Sequence, residues 1–306
     1  MKHKDSKKDE YKKVLKCPKC SSTNYKKRGF RHTKKRGKIQ RYECKECGKA
    51  FIEDNGFKKM KNNPKKVTLC LDLFFKGMSL RKIKRHLQAF YPENSSHVSV
   101  WKWVIKYSNM ISKFTNTLKF NPISNTELDE MEYTKGEEGW FIDSIDTETR
   151  FMVASNFVKE RSQKEIKDIL RSIKEKTESK VNTITTDGLT AYTNIVKKSF
   201  GYNRHKRKYN IKHRVKNASK GEGFNHKVER LHNSIRERTK IFRGFGAEYS
   251  AKAIMKGWSI YYNFIRKHQA IGKCPYELAC PELRNELDVN NKWLKLIKLS
   301  KIKEFQ

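Results

Sequence analysis

Three acidic residues occupy positions where a metal-dependent reaction on a phosphodiester could be built. Asp187 closes the short β-rich run Ile184-Thr185-Thr186, is followed by Gly188, and precedes a helix-like stretch from Leu189. That sets its carboxylate at the C-terminal edge of a strand, where α/β sheets gather ligand and metal chemistry. Glu229 lies in the cation-rich, helix-like run Asn225 to His232, and Asp129 in Leu128-Asp129-Glu130-Met131-Glu132-Tyr133. Between Asp129 and Asp187 lie 57 residues, and between Asp187 and Glu229 lie 41. Carboxylate oxygens are the ligands that hard divalent cations prefer. Three acids converging on a basic protein could hold two such ions against a phosphodiester.

A second constellation is made of cysteines. Cys17-Pro18-Lys19-Cys20 and Cys44-Lys45-Glu46-Cys47-Gly48 are separated by 23 residues. Two CxxC turns at this separation give four thiolates at tetrahedral geometry, a closed structural zinc site with no open position for catalysis. Gly48 supplies the positive φ that the second knuckle needs. A module this small cannot bury enough surface alone, so Zn²⁺ supplies folding energy. Between the pairs run nine lysines and arginines interspersed with Tyr25, Phe30 and Tyr42. The remaining cysteines, Cys70, Cys274 and Cys280, are scattered, which is metal usage in a reducing compartment and not a disulfide framework.

Of 306 residues, 70 are Lys or Arg against 33 acids, a formal net charge of +37. Self-repulsion at this level opposes folding unless a polyanion neutralises it, which favours nucleic acid over a membrane surface as partner. The N-terminus lacks an apolar signal region, and the longest apolar stretch, Val67 to Phe75, is too short to span a bilayer. The expected location is cytoplasmic, and nucleoid-associated in a prokaryote.

These residues need elements to position them. A basic tail is expected over 1–16, the zinc ribbon over 17–52, and a linker at Glu53 to Lys66. A helix-turn-helix follows over 64–112, an α/β domain over 125–280 and a C-terminal helix over 281–306. In the helical part Leu69, Leu73, Leu80, Ile83 and Leu87 keep helical spacing. Lys76-Gly77-Met78-Ser79 forms the turn with Ser79 as N-cap, and Ser95 or Ser96 caps a third helix, Val98 to Tyr107. Arg81, Lys82, Lys84 and Arg85 would meet phosphates, and the third helix, with Lys102 and Lys106, would enter the major groove. In the α/β part, strands are expected at 127–133, 139–145 and 150–157, with another ending at Thr185. Helices are expected at 162–176, 189–199, 225–240 and 248–267.

Several segments together resemble a known family. They are Asp129 to Tyr133, Gly139 to Asp146, Thr185-Thr186-Asp187-Gly188, Asn225 to Arg238, Arg243-Gly244-Phe245, and Tyr262-Asn263-Phe264-Ile265-Arg266-Lys267-His268 with Pro275 to Ala279. In order and spacing they look like a DDE transposase of a prokaryotic insertion sequence, insertion-sequence-six-like, with a ribonuclease-H-like integrase core over about 125–280. The resemblance implies that Asp129, Asp187 and Glu229 are catalytic and hold Mg²⁺ (or Mn²⁺). Arg236, two turns beyond Glu229, would contact a phosphate near the cleaved bond, with Arg230 and His232 as further phosphate contacts. It implies cleavage at element ends and strand transfer into target DNA. The partners would be double-stranded DNA (terminal inverted repeats and target) and a second copy or more of the chain, with no membrane.

Two features depart from the family pattern. The Asp187–Glu229 interval is longer than usual, with the excess placed in Lys216 to Phe224. Glu127, Glu130, Glu132, Asp143 and Asp146 crowd the first acid, and Asp143 takes its place under another register. On an alternating strand Asp129, Met131 and Tyr133 share one face, and Glu130 and Glu132 the other. The alternative reading is a non-catalytic zinc-ribbon DNA-binding protein, either a decayed transposase or a regulator. A ribonuclease-H-fold nuclease without strand transfer would share the same metal site.

Overall fold

The computed structural model describes residues 15–34, 36–58, 60–91, 95–120, 124–135, 138–216, 225–242 and 244–303. Most of the basic tail, most of the Lys216–Phe224 stretch, and Arg243 lie outside the described residues. Strands β1 (Tyr25–Thr33), β2 (Gly37–Cys44) and β3 (Ala50–Ile52) form an antiparallel sheet in that order. Tyr25, Tyr42 and Phe51 supply its ring cluster, with centroids 5.3 to 6.2 Å apart. So small an apolar cluster offsets little of the entropy of ordering the chain, so the cysteines at its base matter for folding.

Three capped helices follow. Asn63 accepts from the Lys65 N–H at 2.9 Å and Pro64 takes the first position of α1 (Pro64–Phe75). Ser79 accepts from Lys82 N–H at the start of α2 (Leu80–Phe90), and Ser96 from Ser99 N–H at the start of α3 (His97–Thr115). Ser95 is occupied differently, its hydroxyl donating to Asn62 Oδ1 at 3.2 Å. The third helix, expected to end near Tyr107, continues eight residues further. Ser108, Ile111, Ser112 and Phe114 prolong the buried stripe of Val100, Trp103, Val104 and Tyr107. Its far half packs against α7 (Glu248–Ile260) and α10 (Lys292–Lys303).

The central sheet has strand order β10-β7-β4-β5-β6. β4 (Asn125–Tyr133), β5 (Gly139–Asp146) and β6 (Met152–Val158) form an antiparallel meander, and β7 (Thr183–Thr186) and β10 (Lys212–Val215) run parallel to β4. α4 (Gln163–Lys176) connects β6 to β7, and α5 (Thr190–Phe200) connects β7 to the hairpin β8 (Tyr202–Asn203) and β9 (Lys208–Tyr209) that precedes β10. Glu127, Asp129, Met131 and Tyr133 share a face with their partners Ile145, Asp143, Phe141 and Gly139. That face is covered by α6 (His226–Thr239), Phe245 and α7. β7 pairs β4 only through Asn125, Thr126 and Glu127, so β4 from Leu128 onward overhangs its shorter neighbour.

Two expected elements have different bounds for local reasons. β6 starts at Met152 and not at 150, because Asp146 to Arg150 forms a turn in which Arg150 has φ 61°. The helix expected over 248–267 is α-helical only to Ile260. A π-helical turn, Tyr261–Ile265, follows, and Arg266 is extended. After the single turns α8 (Tyr276–Ala279) and α9 (Arg284–Leu287), the C-terminal helix begins only at Lys292. It buries Trp293, Leu296 and Ile297 beside α1 and α3.

Gly257 is where α7 meets the N-terminal helices. A Cβ there would collide with the Phe75 ring of α1 and the Ser108 hydroxyl of α3. Gly257→Ala is therefore expected to cost about 1–3 kcal/mol, read as a lower Tm. An unchanged Tm would mean that α1 and α3 do not seat on α7 this closely.

Candidate active site

The overhang of β4 explains how acids from both of its faces meet. Where β7 ends at Thr186, the neighbouring edge of β4 is free, and Asp187 leaves its strand beside it. Asp129 and Glu130 belong to opposite faces, yet each brings a carboxylate oxygen to that edge. Oxygens of Asp129, Glu130 and Asp187 all lie within 4.8 Å of one another. The cluster sits where the strand order reverses, since β5 and β6 lie to one side of β4 and β7 and β10 to the other.

Asp187 is held on two sides. One of its oxygens accepts from the Leu189 N–H at 3.0 Å, and the preceding Thr186 hydroxyl pairs with His213 Nε2 of β10 at 2.9 Å. The second oxygen is left for the cluster. Asp129 is pushed up from 3.8 to about 6 by burial, with Asp187 and Glu229 adding to the rise and His232 opposing it. Glu130 is raised as well, by burial first and then by Asp187 and Asp129. The buried Tyr192 phenol beside it is driven well above its ordinary value by burial and the Glu130 charge. Unneutralised like charges in a poorly hydrated crevice are the setting that a bound cation would relieve.

Glu229 enters from α6, in the first turn of the helix. It is close enough to raise Asp129, but its oxygens are not among the three that lie within 4.8 Å. Asp143 is fully buried directly across from Asp129 on β5, also outside that group. Between them stands His232, its Nδ1 3.7 Å from Asp129 and its Nε2 3.4 Å from Asp143. A buried ring wedged between two carboxylates limits how Asp129 can turn, as outer partners of ligating carboxylates do. Arg236 is exposed and donates to Asn233 at 3.1 Å, and Arg230 is exposed on the flank of α6. Arg81, Lys82 and Arg85 are exposed on α2, and Lys102 and Lys106 on α3.

Reasoning from sequence misses three contributors. Glu130 is hidden by strand alternation, which sends it away from Asp129 unless the strand edge is open. Glu127 lies among the crowding acids, yet its Oε2 accepts from the N–H groups of Lys227 (2.8 Å) and Val228 (3.1 Å) and so fixes the start of α6. His232, expected as a phosphate contact, is 3% exposed at its side chain and faces carboxylates instead. Its spacing, three residues after Glu229, would have put both on one helix face.

At the N-terminus the Sγ atoms of Cys17, Cys20, Cys44 and Cys47 also lie within 4.8 Å of one another. Cys17 and Cys47 are 3.5 Å apart, as are Cys20 and Cys44, and the Lys19 N–H points to the Cys17 sulfur at 3.4 Å. Four sulfurs so arranged suit one tetrahedral metal ion.

The family model of the DDE domain of insertion-sequence transposases matches residues 127–269. Over this segment the chain is similar to a DDE transposase domain. The match begins at Glu127, spans β4 through the π-helical turn and takes in every acid of the cluster. No curated protein matches the chain. Within the matched segment the clustered acids come from β4 and from the end of β7, and Glu229 approaches them from α6. Among the described residues no helix is long and apolar enough to cross a membrane.

The raised Asp129 carboxyl has a consequence for stability. Because the folded protein binds this proton more tightly than the unfolded chain, the contribution is full at acid pH and is lost as pH rises through about 6. Asp129→Asn should therefore raise the Tm of the metal-free protein at pH 8 by roughly 2–6 °C, the gain fading by about pH 4. A variant no more stable than the parent at pH 8 would show that the cluster carries no such repulsion.

Proposed function

We propose that this protein is an active transposase, cutting DNA at the ends of an insertion sequence and transferring the freed strands into target DNA. The observation that supports this most is the convergence of Asp129, Glu130 and Asp187 at the open edge of β4, with Glu229 facing them from α6, inside a DDE domain. The sheet order, an antiparallel meander extended by two parallel strands, supports a ribonuclease-H-like reading of the core. Asp129, Asp187 and Glu229 are the ligands for Mg²⁺ or Mn²⁺, with Glu130 as a fourth carboxylate. Such ions, when bound, activate water or a 3′-hydroxyl and stabilise the leaving oxygen of an in-line displacement.

The chain's own residues do the positioning. Glu127 seats α6, so that Glu229 reaches the cluster. His232 restrains Asp129 from behind, and the Leu189 N–H holds one oxygen of Asp187 so that the other points to the site. Arg236, on the Glu229 side of α6, lines the approach as a phosphate contact, whereas Arg230 leaves the helix on its other flank and would meet a phosphate away from the cluster. No protein nucleophile is needed, so the phosphodiester is never joined to the chain.

The remaining parts serve DNA recognition. Residues 17–52 act as a zinc ribbon and 64–112 as a helix-turn-helix on the terminal repeats. Arg81, Lys82 and Arg85 of α2 and Lys102 and Lys106 of α3 meet DNA from the exposed stripes of their helices. Two or more copies pair the element ends, since each end needs an active site. Such a protein works on DNA in the cytoplasm, at the nucleoid.

Incubation of the full chain with Mg²⁺ and labelled element ends, beside Asp187→Ala and Glu229→Ala, tests the chemistry. Cleavage or joining by the parent, reduced at least about a thousandfold in either variant, is expected. Binding without chemistry in all three, with Mn²⁺ and paired ends also tried, would make the protein a decayed transposase or regulator. Zinc is tested separately. Cys20→Ser with Cys47→Ser, or a strong chelator, should open residues 17–52 to proteolysis while a 125–280 core survives. An unchanged digestion pattern would remove zinc from the folding of this module.

A further inference from the structure

On the flank of α6 turned away from the acid cluster lies a cavity of about 180 Å³, smaller than sites for drug-sized ligands. Its walls carry Arg150, Arg230, Arg266, Lys227 and His268, and among the described residues no carboxylate lines it. Among the described residues no ion pair or hydrogen bond engages the guanidinium of Arg150, Arg230 or Arg266. Arg266 has only the Tyr262 ring, 5.9 Å from its guanidinium carbon. The Nδ1 of His268 is buried without a hydrogen-bond partner.

Two of these arginines are delivered by backbone irregularities, each locked by buried polar groups. Arg150 adopts φ 61°, which is uncommon for any residue but glycine. The turn that holds it there is organised by Asp146, whose Oδ2 accepts from the Thr149 N–H (2.7 Å) and hydroxyl (2.6 Å), and whose carbonyl accepts from the Arg150 N–H (3.1 Å). Arg266 follows the π-helical turn, and its N–H closes that turn on the Tyr261 carbonyl at 2.8 Å. Within the turn, Asn263 is pinned by both ends of its amide, accepting from Met152 N–H at 2.8 Å and donating to Met152 carbonyl at 2.9 Å. Left-handed residues and π turns persist where surrounding structure over-determines them, and both features here aim a cation at one cavity.

Like charges gathered with no counter-charge repel, and the arrangement becomes favourable only when an anion enters. The three arginines add to burial in holding His268 below its ordinary range, the same field an anion would relieve. A duplex is far too wide for the cavity, whereas a tetrahedral oxyanion matches guanidinium forks. Arg230 is the next residue after Glu229, about 100° further around the same helix turn. We infer that Arg150, Arg230, Arg266 and His268 form a phosphate subsite that grips one backbone phosphodiester of a DNA strand running along the flank of α6 opposite the acid cluster. It rests on the reading of the protein as a DNA-processing transposase, and adds to it where the strand is held.

The test is the salt dependence of binding of the full, zinc-loaded chain to a labelled duplex carrying an element end. It compares the parent, Arg150→Gln with Arg266→Gln, Arg266→Lys, and Lys267→Gln, whose exposed lysine lies outside the cavity. The double variant should bind roughly tenfold more weakly at low salt, with the slope of log affinity against log salt shallower by about one. Arg266→Lys should weaken binding with the slope kept, because the charge remains while the fork is lost. Lys267→Gln should stay near the parent, and thermal melting confirms that each variant is folded. A double variant indistinguishable from Lys267→Gln would overturn the subsite. So would loss of inorganic phosphate binding with DNA binding intact, which would make the ligand a free phosphate. Failure of the parent itself to bind DNA would count against the transposase reading instead.

Discussion

The active site depends on how α6 is fastened to the sheet. Glu127 receives the first free N–H groups of that helix on a carboxylate buried in β4. This satisfies donors that a helix start leaves open and sets a negative charge against the positive end of the helix dipole. Everything that α6 contributes is measured from this point. Glu229 falls in the first turn, His232 comes under the sheet between Asp129 and Asp143, and Arg230 emerges on the opposite flank. Shifting the contact by one residue would turn the helix by about 100° and separate all of them from their partners.

Much of this was legible in the sequence because it follows local rules. The ends of α4, α5 and α6, the positions of strands β4 and β5, and the cap at Ser79 come from periodicity and side-chain chemistry within a few residues. Tertiary causes were not legible. The far half of α3 is helical because α7 and α10 cover it, and Gly257 at that crossing looks like any other glycine in the sequence. The π turn exists because Asn263 finds the backbone of Met152, 111 residues away. The cluster shows the same limit. Asp187 announces itself by ending a strand, whereas Glu130 joins only because β7 is too short to cover the edge of β4.

Charge is distributed in a way the total of +37 does not convey. Within residues 127–269, Glu127, Asp143 and Asp146 are buried in the central sheet and Asp129, Glu130 and Asp187 gather at one strand edge, while most lysines and arginines occupy the surface beside the remaining acids. Several of those acids are engaged by backbone N–H groups instead of cations: Glu127 by α6, Asp146 by its own turn, and Asp187 by Leu189. Cations are therefore left over at the surface, which suits a protein whose counter-charge is a polyanion. The field reverses sign only over the short distance from the flank of α6 to the crevice beside β4. A phosphodiester drawn in by the first would need a cation to approach the second.

That reversal places an unusual demand on α6. The helix must hold Glu229 toward carboxylates that repel it, so its position cannot come from the site it serves. Its fixation comes from its two ends. At the start there is Glu127, and near the finish Arg238, which is 5% exposed and, among the described residues, has no hydrogen-bond partner for any of its three nitrogens. Burial lowers Arg238 to about 10, so it remains charged at neutral pH. Its guanidinium carbon lies 4.4 Å from the rings of both Phe74 of α1 and Phe242. Such stacking recovers part of the cost of desolvating the cation. It also ties the end of α6 to the N-terminal helices, whose packing on α7 and α10 is set far from the acids. The helix that carries Glu229 in its first turn is thus held at both ends by anchors, neither of which depends on the metal ions that would neutralise the cluster.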